Sequence, residues 1–203
     1  MKLYDAPIAP NPRRVRWFMS EKAISDIEVV AMSMVGGDQK TPAFVAKAGL
    51  PLLPVLELDD GTMISESLAI CRYLESLYPQ PNLFGTSPRE VALIEMWTRR
   101  AELMVAHPAM HAVRHTSPHL AVLEQQDAAF GAFNTAQMLA GLTILDRRLA
   151  ETTWLAGDRI TIADIVAYIG IDFTRVIRLA IPEAMTSLHR WLGDMRSRPA
   201  AQA

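Results

Sequence analysis

The run from Leu50 to Ser67 (LPLLPVLELDDGTMISES) constrains this chain more than any other stretch, because it sets a restrained turn, a hairpin and a charged helix start in succession. Val55 to Leu58 is rich in strand formers, Asp59-Asp60-Gly61 supplies a hairpin turn, and Thr62 to Ile64 returns as the partner strand. Pro54 opens the first strand, where a missing N–H is tolerated, and X-Pro bonds adopt the cis form at modest cost, so Leu53-Pro54 is a cis candidate. A cis turn there leaves the Leu53 N–H and C=O directed out of the sheet, open to an extended peptide-like ligand. Ser65-Glu66-Ser67 then begins a helix whose apolar stripe is Ile70, Tyr73, Leu74 and Leu77. An unpaired helix start accepts a carboxylate, Ser67 adds a hydroxyl and Glu66 suits an ammonium, so the site fits a free amino-acid head. The competing reading is structural: Ser65 caps the helix and Glu66 favours its dipole.

Before this run, Lys2 to Ala6 reads as a strand, Asn11 as an N-cap with Pro12 as the first helical residue, and Val15, Phe18 and Met19 as the inward face. Arg13, Arg14 and Arg16 form the solvated side of that helix, with a rim for anionic ligands as the alternative. Ile27 to Met32 is a second strand, and Thr41-Pro42 starts a short helix that Gly49 ends. Strand, helix, strand, helix, hairpin, helix is the order of a thioredoxin-like α/β unit, here residues 1–80.

Prolines 79 and 81 mark a linker, and Ser87-Pro88-Arg89-Glu90 combines an N-cap, an N1 proline and a capping-box glutamate. Residues 87–203 then read as an all-α domain: Glu90 to His107 continuing to about His115, Pro118 to Leu149, Thr161 to Ile177 and Pro182 to Arg196. Thr161 and Asp164 form a capping box ahead of Ile162, Ile165, Val166, Ile169 and Phe173, a folding feature and not a catalytic one.

Half of the 203 residues are hydrophobic and the net charge is −2, which supports a substantial core and gives no reason for a nucleic-acid partner. No apolar run approaches the roughly 18 residues that span a bilayer, and no apolar leader precedes the first strand, so the expectation is a cytoplasmic protein without a membrane partner. The one cysteine, Cys71, reads as a buried structural thiol. Histidines 107, 111, 115 and 119 recur every fourth residue, but Pro108 and Pro118 interrupt the stripe and no thiol or HExxH glutamate joins it, so no metal site is expected.

The Leu53-Pro54-Val55 hairpin ending in Glu66-Ser67, together with the capping-box segment, resembles the glutathione transferase family over nearly the whole chain. The resemblance implies glutathione as co-substrate with no other cofactor. It pairs the backbone of Leu53, before Pro54, with the cysteinyl part, sets Glu66 and Ser67 on the γ-glutamyl head, and offers Lys40 to the glycyl carboxylate. The family's frequent glutamine before this motif is Leu52 here. The Tyr, Ser or Cys that usually holds the sulfur is replaced by Ala9, and Tyr4 lies within the strand. In this the chain is similar to the yeast and bacterial branch lacking such a residue, which uses a histidine and a hydroxyl acting through water. His115 with Thr116 or Ser117 matches that group, and Asn11 with the amides after it is a second way to ionise the thiol. The implied protein is a homodimeric, detoxifying transferase that conjugates glutathione to small hydrophobic electrophiles. The alternatives are a non-catalytic glutathione-binding protein, or a glutathione-dependent isomerase, dehalogenase or peroxidase.

Overall fold

A computed structural model describes residues 1–202, which divide into two compact units, Met1–Pro81 and Asn82–Ala201. The first contains β1 (Lys2–Asp5), α1 (Pro10–Glu21), β2 (Glu28–Ala31), a 3-10 turn (Asp38–Lys40), α2 (Pro42–Ala48), β3 (Val55–Glu57), β4 (Met63–Ser65) and α3 (Ser67–Leu77). The sheet order is β2-β1-β3-β4, with β1 parallel to β2 and the other pairs antiparallel. The hairpin register sets Val55 opposite Ser65. Thr41 caps α2 by accepting from the Phe44 N–H, and Gly49 ends it at a φ of 81°, as the sequence predicts.

Three local expectations are corrected. Helix α1 begins at Pro10, so Ala9 is its N-cap and Asn11 lies inside the first turn; a proline at the first helical position outweighed the side-chain capping chemistry of Asn11. Arg14 is 2 % exposed, not solvated. The buried stripe of α3 is Ser67, Ile70, Cys71 and Leu74, while Leu77 is 48 % exposed and Ser65 ends β4 without capping the helix. Between α1 and α3, the buried Lys22 Nζ donates to the Tyr78 and Pro81 carbonyls at 2.7 Å each and pairs with Glu75 at 2.8 Å, tying the ends of the two helices together.

The second unit is helical among its described residues: α4 (Pro88–Ala101), a π turn (Glu102–Ala106), α5 (His107–Thr116), a 3-10 turn (Pro118–Leu120), α6 (Ala128–Glu151), α7 (Ile162–Phe173), a 3-10 turn (Thr174–Ile177) and α8 (Thr186–Arg196). Ser87 caps α4 as expected, although the Glu90 carboxylate reaches the Thr86 N–H one residue further back. Helix α6 does not start at Pro118. Asp127 caps it by accepting from the Ala129 and Phe130 N–H groups, and Gln126 donates to the Arg114 and Ser117 carbonyls, holding the intervening chain as a loop. Likewise α8 starts at Thr186, not Pro182. Helix α6 also overturns the expectation about apolar length: its most apolar 18 residues have a mean hydropathy of 1.3, enough to cross a membrane by length and composition. Only 33 % of that window is buried; its inner face, Met138, Leu142, Leu145 and Leu149, is at most 3 % exposed.

The π turn is held by close backbone approach. A Cβ on Gly141 of α6 would collide with the Met104 carbonyl, and one on Gly170 of α7 would lie 2.7 Å from Ala106 Cα, so the widened turn fits only between glycines. At the centre of the unit, the Thr161–Asp164 capping box is present, and the fully buried Asp164 carboxylate also accepts from the Leu155 N–H at 2.9 Å and the Trp191 indole at 3.0 Å. Burial pushes this carboxyl up, and those donated hydrogen bonds pull it back. Asp164→Ala therefore leaves several buried donors unsatisfied at about 1–3 kcal/mol each, and should cost roughly 3 kcal/mol or more in urea unfolding. Thr161→Ala should cost only about 1 kcal/mol in the same measurement.

Candidate functional site

The Leu53-Pro54 peptide is cis, as the sequence predicts. Leu53 itself is 9 % exposed, and its N–H and C=O make no hydrogen bond among the described residues. An extended backbone can pair with that edge. The hairpin then delivers Glu66 to the start of α3 with φ 69° and ψ 115°, outside the ordinary range of a non-glycine residue. Its carboxylate is exposed and has no partner among the described residues. Ser67, the first residue of α3, is 4 % exposed, and its Oγ lies 3.5 Å from an Arg14 guanidinium nitrogen. A negative carboxylate, a buried hydroxyl with a buried cation behind it, and the orphan amides of a helix start thus stand in consecutive positions.

Lys40 ends the 3-10 turn ahead of α2, exposed and without a partner among the described residues. Its neighbour Gln39 is 2 % exposed and anchors the turn through a bond from Nε2 to the Met34 carbonyl. Tyr4 is committed elsewhere: its hydroxyl donates to Glu57 at 2.7 Å and accepts from Lys47 at 3.2 Å. Lys47 and then Tyr4 hold the Glu57 carboxyl below its usual range.

The start of α1 offers less than its helix dipole implies. Pro10 and Pro12 have no N–H, and the Arg13 N–H is taken by the Ala9 carbonyl, so the first turn presents the Asn11 amide alone. The Asn11 Oδ1 is buried without a partner among the described residues. In the helical unit, the Asp127 N–H donates to His115 Nδ1 at 3.1 Å, which places the proton of the neutral ring on Nε2. His115 therefore presents a donor to a water, not a lone pair. Thr116 Oγ1 donates to the Ala112 carbonyl at 2.6 Å, while Ser117 Oγ is buried without a partner among the described residues. His111, one turn before His115, was not singled out from the sequence. Its ring packs on Phe130 at 5.3 Å, its nitrogens make no hydrogen bond among the described residues, and partial burial, then the neighbouring His115, lower its pKa. No cluster of three or more metal-ligating side chains occurs among the described residues.

Residues 3–82 match the glutathione S-transferase N-terminal domain and residues 107–199 the glutathione S-transferase C-terminal domain. The chain belongs to the glutathione S-transferase family, and its fold is the thioredoxin-like unit plus helical unit of that family. It is 36 % identical to glutathione S-transferase 2 of Saccharomyces cerevisiae, over 100 % of this chain and 88 % of that protein. The crystal structure of Gtt2 from the same yeast superposes with a TM-score of 0.93 at 36 % identity, covering 100 % of this chain and 99 % of that one. Elongation factor 1-gamma 2 of Oryza sativa is 30 % identical over 85 % of this chain and 41 % of its own length.

Cys71 is fully buried in α3, and burial pushes its thiol far up, so it is inert in the native state. Native protein should release no chromophore from a disulfide thiol reagent, and unfolded protein one equivalent. Rapid native reaction would contradict this burial.

Proposed function

We propose that this protein is a transferase that binds glutathione along Leu53 and Pro54 and attacks small hydrophobic electrophiles with the bound thiolate. The observation that carries the reading is the juxtaposition of the unpaired Leu53 backbone with the exposed Glu66 carboxylate and the Ser67 helix start. The cysteinyl main chain pairs with Leu53, Glu66 takes the γ-glutamyl ammonium, Ser67 and the first amides of α3 take its carboxylate, and Lys40 takes the glycyl carboxylate.

Free thiols near pKa 8.5 are mostly protonated at neutral pH, so the protein has to favour the thiolate. With Ala9 in place of a hydroxyl, the Asn11 amide and, by the resemblance to the branch lacking such a residue, a water are the two groups proposed to favour the thiolate. His115 orients that water through its Nε2–H, with Thr116 and Ser117 as hydroxyl partners, and His111 keeps the lone pair that accepts a proton. We further propose that the protein works in the cytosol as a homodimer. Phe133 and Ile144 on the outer face of α6 are 59 % and 39 % exposed beside Leu103 at 51 %, an apolar face suited to a second copy. A second reading, binding without conjugation, draws on Ala9 and on the elongation-factor relative; retention on immobilised glutathione without turnover of aryl halides, epoxides or isothiocyanates would favour it.

Glu66→Ala and Ser67→Ala should each raise the KM for glutathione at least tenfold, with little change in the KM for the electrophile; equal changes in both would remove the γ-glutamyl assignment. His115→Ala should lower kcat and move the alkaline rise of the pH–rate profile upward, because the thiol loses a group that favours its ionised form; an unmoved profile removes His115 from the mechanism. In light scattering, wild type should weigh twice its 22.5 kDa chain and Phe133→Glu should weigh one chain. A monomeric wild type would rule out the dimer.

A further inference from the structure

The first turn of α6 grips the last turns of α5 in three ways. The Asp127 N–H donates to His115 Nδ1. The Phe130 ring stands edge-to-face on His111 at 5.3 Å and on His115 at 4.9 Å, with interplanar angles of 68° and 79°. Gly131 permits this approach, because a Cβ there would collide with the Thr116 γ-methyl and lie 3.3 Å from His115 Cβ.

Core packing does not account for Phe130. The buried stripe of α6 runs through Gly131, Asn134 and Met138, whereas Phe130 lies beside it and is 41 % exposed. The outer torsion of a histidine is broad, so an imidazole without a partner turns easily about it. His115 has one hydrogen bond to hold its ring. The His111 nitrogens have none among the described residues, so that ring is oriented by its contacts with Phe130 and His115. We propose that Phe130 is a positioning residue for this histidine pair: its ring sets the planes of both imidazoles, so that the His115 Nε2–H and a His111 lone pair stay directed at the water that acts on the thiol. The inference deepens the transferase reading and rests on it. The charged and titratable groups acting on His111 are His115, His107 and Arg114 of α5 and Glu124 of the loop before α6, with Arg114 paired to Glu124 at 2.8 Å. The Asp127 carboxylate is spent on the Ala129 and Phe130 N–H groups. A substitution of Phe130 removes none of these charges, so a change at His111 reports the loss of the ring.

The test combines nitrogen-15 histidine spectra of the full chain, without glutathione, with steady-state kinetics. At alkaline pH, where the rings are neutral, wild-type His115 should show the two well-separated nitrogen signals of one tautomer. In Phe130→Ala those signals should draw together as the ring turns and the tautomers mix. The His111 midpoint should rise toward the ordinary imidazole value, because its partial burial is relieved. The same variant should lower kcat roughly tenfold with little change in the KM for glutathione, the mark of lost positioning. Phe130→Tyr keeps the ring and should restore both the spectra and kcat. Position 130 is exposed and alanine favours a helix, so the helical circular dichroism of both variants should stay native. Unmoved histidine signals or an undiminished kcat in Phe130→Ala would overturn the proposal. A wild type that conjugates no electrophile would overturn the transferase reading instead, and the spectra would still decide whether Phe130 holds the two rings.

Discussion

The backbone of Glu66 is the constraint on which the first unit turns. The hairpin register ends with Ser65 on Val55, and α3 begins at Ser67, so the chain reverses from sheet edge to helix within one residue. Glu66 makes that reversal with a positive φ, a conformation a glycine would hold at lower cost. The consequence is positional. The Glu66 carboxylate is left outside, Ser67 is driven inside beside Arg14, and the first amides of α3 stay unpaired by any preceding turn. The same register carries the chain before Pro54 toward that helix start, where Leu53 keeps its main-chain groups unspent. A strained residue with an unpaired charge is a poor choice for stability alone, which is why this corner reads as a binding site.

The helical unit solves a different problem. Its long first helix changes pitch at the π turn, and the glycines of α6 and α7 pack against that turn where no side chain fits. Below it, Asp164 joins a loop, the start of α7 and the Trp191 ring of α8 through one carboxylate. These two contacts fix the helices that present His111, His115 and Phe130 as one packed group, with rings 4.9 to 6.2 Å apart. The Asp127 N–H then decides which nitrogen of His115 faces outward.

Much of this was legible in the sequence because the signals are local. The Thr41-Pro42 start, the Asp-Asp-Gly hairpin, the Thr161–Asp164 box and the Leu53-Pro54 bond each rest on chemistry within a few residues. What escaped depended on partners distant in the chain or on two local signals in competition. Pro118 is a good helix start, yet Gln126 uses its amide on the Arg114 and Ser117 carbonyls, and Asp127 takes the cap instead. Arg14 looks solvated until α3 covers it, and Lys22 looks like any helix-end lysine until the Tyr78 and Pro81 carbonyls close on it. The π turn has no pattern of its own; its trace lies in Gly141 and Gly170, whose reason is visible only once the helices are packed. In the candidate site the residue types were readable, but the strain at Glu66 and the orientation of His115 were not.

The most direct measurement is a calorimetric titration of the folded protein with glutathione, run beside Glu66→Gly, which relaxes the backbone and removes the carboxylate together. The account predicts one glutathione per chain for the wild type, and for the variant a much weaker affinity with resistance to denaturant equal to or above that of the wild type. No uptake by the wild type, or undiminished affinity in the variant, would contradict it.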